Sequence, residues 1–251
     1  MTGIIPYIQG LDLPQAPLRR GGPDDQEPPP SFESVAQAIA VGSQMTEFSS
    51  NTPQSIRPAI SNGLLLGQLA ADKATAGGGD PIAWFTAFNS VMMRIGWQST
   101  LSELNQQTIS DRNAAMHKAI IPVVTAIFGP QAAAGSIILS ILNGLDSMDR
   151  DAPWITLFQR RSNKVAASNF GLSYVDGGEG GGATLKTAYF ALQGSQDRTQ
   201  VLFFKFLSSD ATMKSAQARM SIGPETISTS APALQEKVTP FIVDNIKNID
   251  I

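Results

Sequence analysis

Residues 119–145 read AIIPVVTAIFGPQAAAGSIILSILNGL, 27 consecutive positions without a charged side chain, bounded by Lys118 and Asp146. A bilayer core asks for about 20 apolar residues, so the run is long enough to span one. Its interior argues otherwise. Pro122 and Pro130 interrupt it, and Gln131, Ser136, Ser140 and Asn143 dilute it. No flanking Trp, Tyr or basic cluster anchors it at an interface. Gly129-Pro130 is a helix stop followed by a turn. The stretch therefore predicts two short apolar helices, about Asn113–Phe128 and Gln131–Leu145, folded into a hairpin.

Such a hairpin must bury most of its surface. Two settings satisfy it: the core of a helical region, or a shelter from which it later meets lipid. Both demand the same residues. If it meets lipid, the contacting side chains are Ile120, Ile121, Val124, Ile127, Phe128, Ile137, Ile138 and Ile141. The small residues Ala132 to Ser136 suit close helix packing in either setting.

Upstream the pattern stays helical. Ser31 reads as an N-cap ahead of Phe32, Val35 and Ile39. Thr52-Pro53 opens a second helix with Ile56, Ile60 and Leu64 on one face. Asp80-Pro81 opens a third with Trp84, Phe88, Val91 and Ile95. Before Ser31, the Pro- and Gly-rich stretch Gly10–Pro30 reads as an extended arm. Downstream of Trp154 the period changes. Phe170, Leu172 and Tyr174 alternate with polar or small residues, and Thr184–Leu192, Thr199–Leu207 and Thr212–Ile222 are further strand-like runs. Val201 to Phe206 is apolar on both faces and should be a central strand. Ala231–Ile246 reads as a closing helix. The fold class expected is α+β: an N-terminal helical bundle with an apolar hairpin, a four-stranded antiparallel meander, and a C-terminal helix. The organisation expected is an arm over 1–30, a helical region over 31–150 and a β region over 151–251, which can pack as one composite domain.

The chain has 251 residues, 42% hydrophobic and only 16% charged, against about 25% charged in ordinary soluble proteins. Ser, Thr, Asn and Gln together number 67. The net charge of −3 splits into −4 up to Arg150 and +1 beyond it. Neither part has the basic excess that a phosphate backbone requires, so nucleic acid is not an expected partner. There is no cysteine and a single histidine, His117, which excludes thiol catalysis, disulfides, and thiolate or two-histidine metal sites. Met1 to Pro30 lacks a basic start and apolar run, so no Sec-type signal peptide is expected. The protein is expected to be cytoplasmic or exported by a non-Sec route.

A helical protein carrying a charge-free Ala/Gly/Ile-rich hairpin, followed by a β-rich part, resembles the helical pore-forming and insecticidal virulence toxins of bacteria. The resemblance rests on architecture and on Ala119–Leu145. It implies a membrane-active protein that oligomerises, and it carries over no binding residue.

Chemical motifs are absent or incomplete. No G-x-S-x-G, Walker A or Rossmann pattern occurs. Gly177–Gly182 precedes a strand rather than a helix and cannot aim a helix N-terminus at phosphate. Gly77–Gly79 lacks the lysine and spacing of a P-loop. Asp146, Asp149 and Asp151 lack the remaining ligands of a calcium loop. His117, next to Lys118, has no nucleophile assigned to it, though a histidine titrates near pH 6.5 and can sense acid. Arg160, Arg161 and Lys164, just after Trp154 and Phe158, are headgroup candidates. No catalytic, cofactor or metal residue is assigned. The leading expectation is a non-enzymatic, membrane-active virulence or pore-forming-type protein, with a lipid membrane and its own copies as partners. The alternatives are a structural or cargo component of a phage tail or injection device, and a carboxylate-dependent enzyme.

Overall fold

The computed structural model describes residues 3–16, 30–76, 80–108, 116–129, 136–162, 168–193 and 212–249. In chain order these form α1 (Ile4–Gly10), β1 (Gln37–Val41), β2 (Gln44–Phe48), α2 (Arg57–Ala74), α3 (Pro81–Arg94), β3 (Gln98–Thr108), α4 (Met116–Phe128), α5 (Ile137–Gly144), α6 (Pro153–Ser162), β4 (Ser168–Gly177), β5 (Ala183–Gln193), β6 (Thr212–Ile222), α7 (Pro224–Val238) and β7 (Ile246–Asn248).

The strands make one mixed sheet in the order β3-β6-β5-β4-β2-β1-β7. This corrects the expected four-stranded antiparallel meander and the helical bundle before it. Three strands of the meander are present as antiparallel neighbours, with Phe170 opposite Phe190 and Gln193 opposite Thr212. The fourth, Thr199–Leu207, lies outside the described residues, and β5 pairs directly with β6, so no strand sits between them. β2 runs parallel to β4, with Gln44 beside Gly171 and Phe48 beside Val175. The helix expected from Ser31 is instead the β1–β2 hairpin. Its residues Ala38 to Val41 are buried on both faces, and a doubly covered strand shows no alternation to betray it.

Helices cover the sheet on both sides, so the molecule has three layers. On one face, Ile39, Val41, Phe48, Val175, Leu185 and Met220 meet α1, α2, α3 and α7. On the other, Ala38, Ala40, Met45, Phe170, Leu172 and Phe190 meet α4, α5 and α6. The α2–α3 contact is close because Gly67 has no side chain: a Cβ there would lie 2.9 Å from the Phe88 ring.

Polar groups also cross the first face. The Gln44 amide donates to the Ser173 and Thr187 hydroxyls, and the Tyr189 hydroxyl donates to Gln44 Oε1 at 3.2 Å. Gln68 Nε2 donates to Val41 O at 2.8 Å, and its Oε1 accepts the Ser43 N–H at 3.0 Å. Gln68 thus stitches the β1–β2 turn to α2. That turn holds Gly42 at φ +57°, and a Cβ there would stand 2.5 Å from Gln68 Oε1. Gly42→Ala is therefore expected to cost about 2 kcal/mol, from left-handed strain and displacement of the Gln68 carboxamide. Urea unfolding measures this, and an unchanged midpoint would show that the turn relaxes freely.

Candidate functional site

The charge-free segment forms the hairpin that its prolines and glycines predict. α4 carries Pro122 inside it and α5 begins at Ile137, and the connecting residues 130–135 lie outside the described set. Ser136 caps α5, its hydroxyl accepting the Leu139 N–H at 3.2 Å. Along α4, Ile120, Val124 and Phe128 fall every four residues and are fully buried against the sheet, as are Ile138 and Ile141 of α5. Ile121, Ile127 and Ile137 are half-buried and pack at the edge of the same cluster. All eight apolar candidates thus lie on one hairpin, five turned inward and three on its flanks.

Two side chains that the sequence reading passed over fasten the turn end of this hairpin. Both project from the covered sheet face. Glu47 of β2 is 2% exposed. Its Oε2 accepts the Ser136 hydroxyl at 2.7 Å and the Ile138 N–H at 3.0 Å. Lys186 of β5 donates from Nζ to Phe128 O at 2.6 Å, the last carbonyl of α4. An acid thus meets a helix N-terminus and a base meets a helix C-terminus, the arrangement that the helix dipoles favour. The two residues are joined through Tyr174, which lies opposite Lys186 and beside Glu47 in the strand register. At about 4.8 Å per strand, Glu47 and Lys186 stand roughly 10 Å apart.

Burial pushes the Glu47 carboxyl above the ordinary carboxylate range, against the lowering effect of its hydrogen bonds to Ser136, Ile138 and Ile137. Burial also lowers the Lys186 ammonium, reinforced by Arg219 and opposed by Asp176. Tyr174 is raised, first by burial and then by the charges of Asp176 and Glu47. The signal in the sequence was a lone charge within an otherwise uncharged strand, in QMTEF and TLKTAYF.

The open end of the hairpin has its own ionic group. His117 Nε2 lies 3.5 Å from Asp146 Oδ2, and Lys118 Nζ lies 3.0 Å from the same oxygen. The Lys118 hydrogen bond is the main cause holding Asp146 below its usual value. Asp149 Oδ1 accepts the Asp151 N–H at 3.0 Å in a local turn. Among the described residues, no group of three or more acidic or histidine side chains is placed to hold a metal ion.

Between α4 and β6 runs a cleft of about 500 Å³, lined by Ala119, Pro122, Val123, Ala126, Ile127 and Gln217 among others. Of the headgroup candidates, Arg160 is exposed and donates to Asp244 O at 3.0 Å. Arg161 is half-buried, and its Nε has no hydrogen-bond partner among the described residues. It borders a separate cavity of about 410 Å³ with Asp72 and Lys73. Lys164 lies outside the described residues. The structure brings the apolar candidates together on one hairpin; the two described basic ones, Arg160 and Arg161, sit at the end of α6.

Among the described residues, no helix is long and apolar enough to cross a membrane. At 1.5 Å per residue, the 13 residues of α4 span about 20 Å, short of a hydrocarbon core of about 30 Å.

The sequence matches no family model. It matches no curated protein. Among solved structures it is distantly similar to a delta-endotoxin, at 10% identity and a TM-score of 0.39, covering 85% of this chain and 90% of that one. It is similarly distant from the structure of the Evf virulence factor, at 10% identity and a TM-score of 0.40, covering 98% of this chain and 91% of that one.

Proposed function

We propose that this is a membrane-active protein and that the α4–α5 hairpin is the element that meets lipid. The observation that carries the reading is the placement of the charge-free segment. It forms an outer layer on the sheet, with its apolar stripe inward and Ile121, Ile127 and Ile137 continuing that stripe onto the flanks. Turning this layer outward would present an apolar surface with no charge to bury between residues 119 and 145. At 13 and 8 residues the two helices are too short to span the bilayer and would meet lipid at its interface. The sheet and the opposite helical layer need not come apart for this to happen.

The absence of cysteine allows a clean test. Ala126 and Gln217 line the same cleft from α4 and β6. An Ala126→Cys, Gln217→Cys variant, bridged by a short reducible linker, ties α4 to the sheet. The unbridged protein is expected to release dye from vesicles of zwitterionic lipid, with or without an anionic lipid. The bridged protein is expected to release little, and reduction should restore the activity. Equal release from both forms would exclude hairpin departure. No release and no co-flotation from either form would exclude the membrane reading.

A further inference from the structure

We propose that Glu47 and Lys186 act as a two-point clasp on the turn end of the α4–α5 hairpin, and that the protonation of Glu47 sets its grip, firmer when protonated and looser when ionised. The proposal rests on the reading of the hairpin as the lipid-facing element and adds what controls its departure.

The geometry makes these two residues the polar fastening of that end. Glu47 holds the first turn of α5 through Ser136 and the Ile138 N–H, while Lys186 holds the last carbonyl of α4. The hairpin itself brings no counter-charge, because residues 119–145 contain none. From β1, the residue opposite Glu47 is Ala38. From β4 it is Tyr174, and beyond that come Lys186 on β5 and Arg219 on β6 in the same row. Asp176, farther along β4, accepts the Ser49 hydroxyl at 2.6 Å. His117, Lys118 and Asp146 lie at the opposite end of the hairpin.

The sign follows from desolvation. A carboxylate sealed beneath α5 is less favourable than one in water; the Ser136 and Ile138 donors at the α5 N-terminus offset part of that cost, burial outweighs them, and protonation removes it. The Glu47 carboxyl titrates above its ordinary range in the closed state. In an open state it would titrate near the ordinary value. The closed state therefore binds the proton more tightly. Its advantage is complete below the ordinary carboxyl range and is lost as the pH rises through the raised value. The clasp loosens with rising pH, the reverse of an acid trigger. Lys186, whose ammonium burial lowers, works in the opposite sense, favouring closure as it deprotonates.

Hydrogen exchange of the full-length protein without lipid tests the clasp separately from the membrane reading. Protection of the Ile138–Leu142 amides, corrected for intrinsic rates, is expected to fall between pH 5 and pH 8, by up to tenfold for each unit separating the closed and open pKa values. Amides of α2 serve as the control for global opening. Glu47→Gln, which mimics the protonated form, is expected to abolish the fall and keep the pH 5 protection. Ser136→Ala removes a donor from the carboxylate and is expected to steepen the fall. Protection that rises with pH, or a fall that persists in Glu47→Gln, would overturn the proposal. A clasp confirmed here beside a failed vesicle assay would leave the device standing and remove only its lipid role.

Discussion

Replacing Arg57 by methionine is expected to destabilise the protein by about 3–5 kcal/mol, because it strips several buried carbonyls of their donor at once. Arg57 is 1% exposed although it is a cation. Its Nη1 donates to Ser34 O at 2.7 Å, its Nη2 to Val35 O at 2.7 Å and Thr52 O at 2.9 Å, and its Nε to Thr52 O at 3.1 Å. The guanidinium also lies 5.6 Å from the centre of the Phe48 ring. One side chain thus joins the segment entering β1, the loop leaving β2 and the start of α2. Among the described residues no carboxylate pairs with it, and burial lowers its pKa from the ordinary arginine value. Carbonyl dipoles and the Phe48 ring compensate the charge, and a planar fork reaches several carbonyls at once where an ammonium does so poorly. Arg57→Lys should therefore recover only part of the loss. Urea unfolding of both variants reads the effect, and a methionine variant within 1 kcal/mol of the parent, the typical net value of one hydrogen bond, would show that water satisfies those carbonyls.

What the sequence disclosed follows the range of the physics involved. The hairpin was legible because an uncharged run and Gly129-Pro130 are local signals. So were α3, whose cap Asp80 accepts the Ile82 N–H at 3.1 Å, and the alternating strands β4, β5 and β6. β3 was missed because QSTLSELNQQT has no apolar period. β1 was missed because Phe32, Val35 and Ile39 happen to fall at helical spacing. The parallel pairing of β2 with β4 joins segments more than 100 residues apart, and no local pattern encodes it. The same separation hid the site. Glu47 and Lys186 become a pair only when β4 lies between their strands, and Arg57 finds its carbonyls only once the β1–β2 hairpin has formed. The hairpin helices were readable from the sequence; the pairing of the polar residues that fasten them was not.

Ile138→Asp is expected to collapse the α4–α5 layer, with a loss above about 4 kcal/mol. Ile138 is fully buried among Ile120, Val124 and Phe128 in the cluster beneath the hairpin. Losing its transfer free energy costs about 2–3 kcal/mol, and sealing a carboxylate in its place adds several more. Position 138 lies in the first turn of α5, where an acid gains about 0.3–1 kcal/mol from the helix dipole. That gain is too small to matter, and the new charge would stand beside the Glu47 carboxylate, which already accepts the Ile138 N–H. Loss of membrane activity in this variant would therefore report unfolding rather than insertion. The flank positions separate the two. Ile121 and Ile127 are half-buried, so asparagine at either is expected to cost about 1 kcal/mol, well below a full core loss, and to leave the fold intact by circular dichroism. If the hairpin meets lipid, both asparagine variants should float with vesicles several-fold less than the parent. Parental flotation by both, with Ile138→Asp unfolded, would assign the hairpin to the core alone.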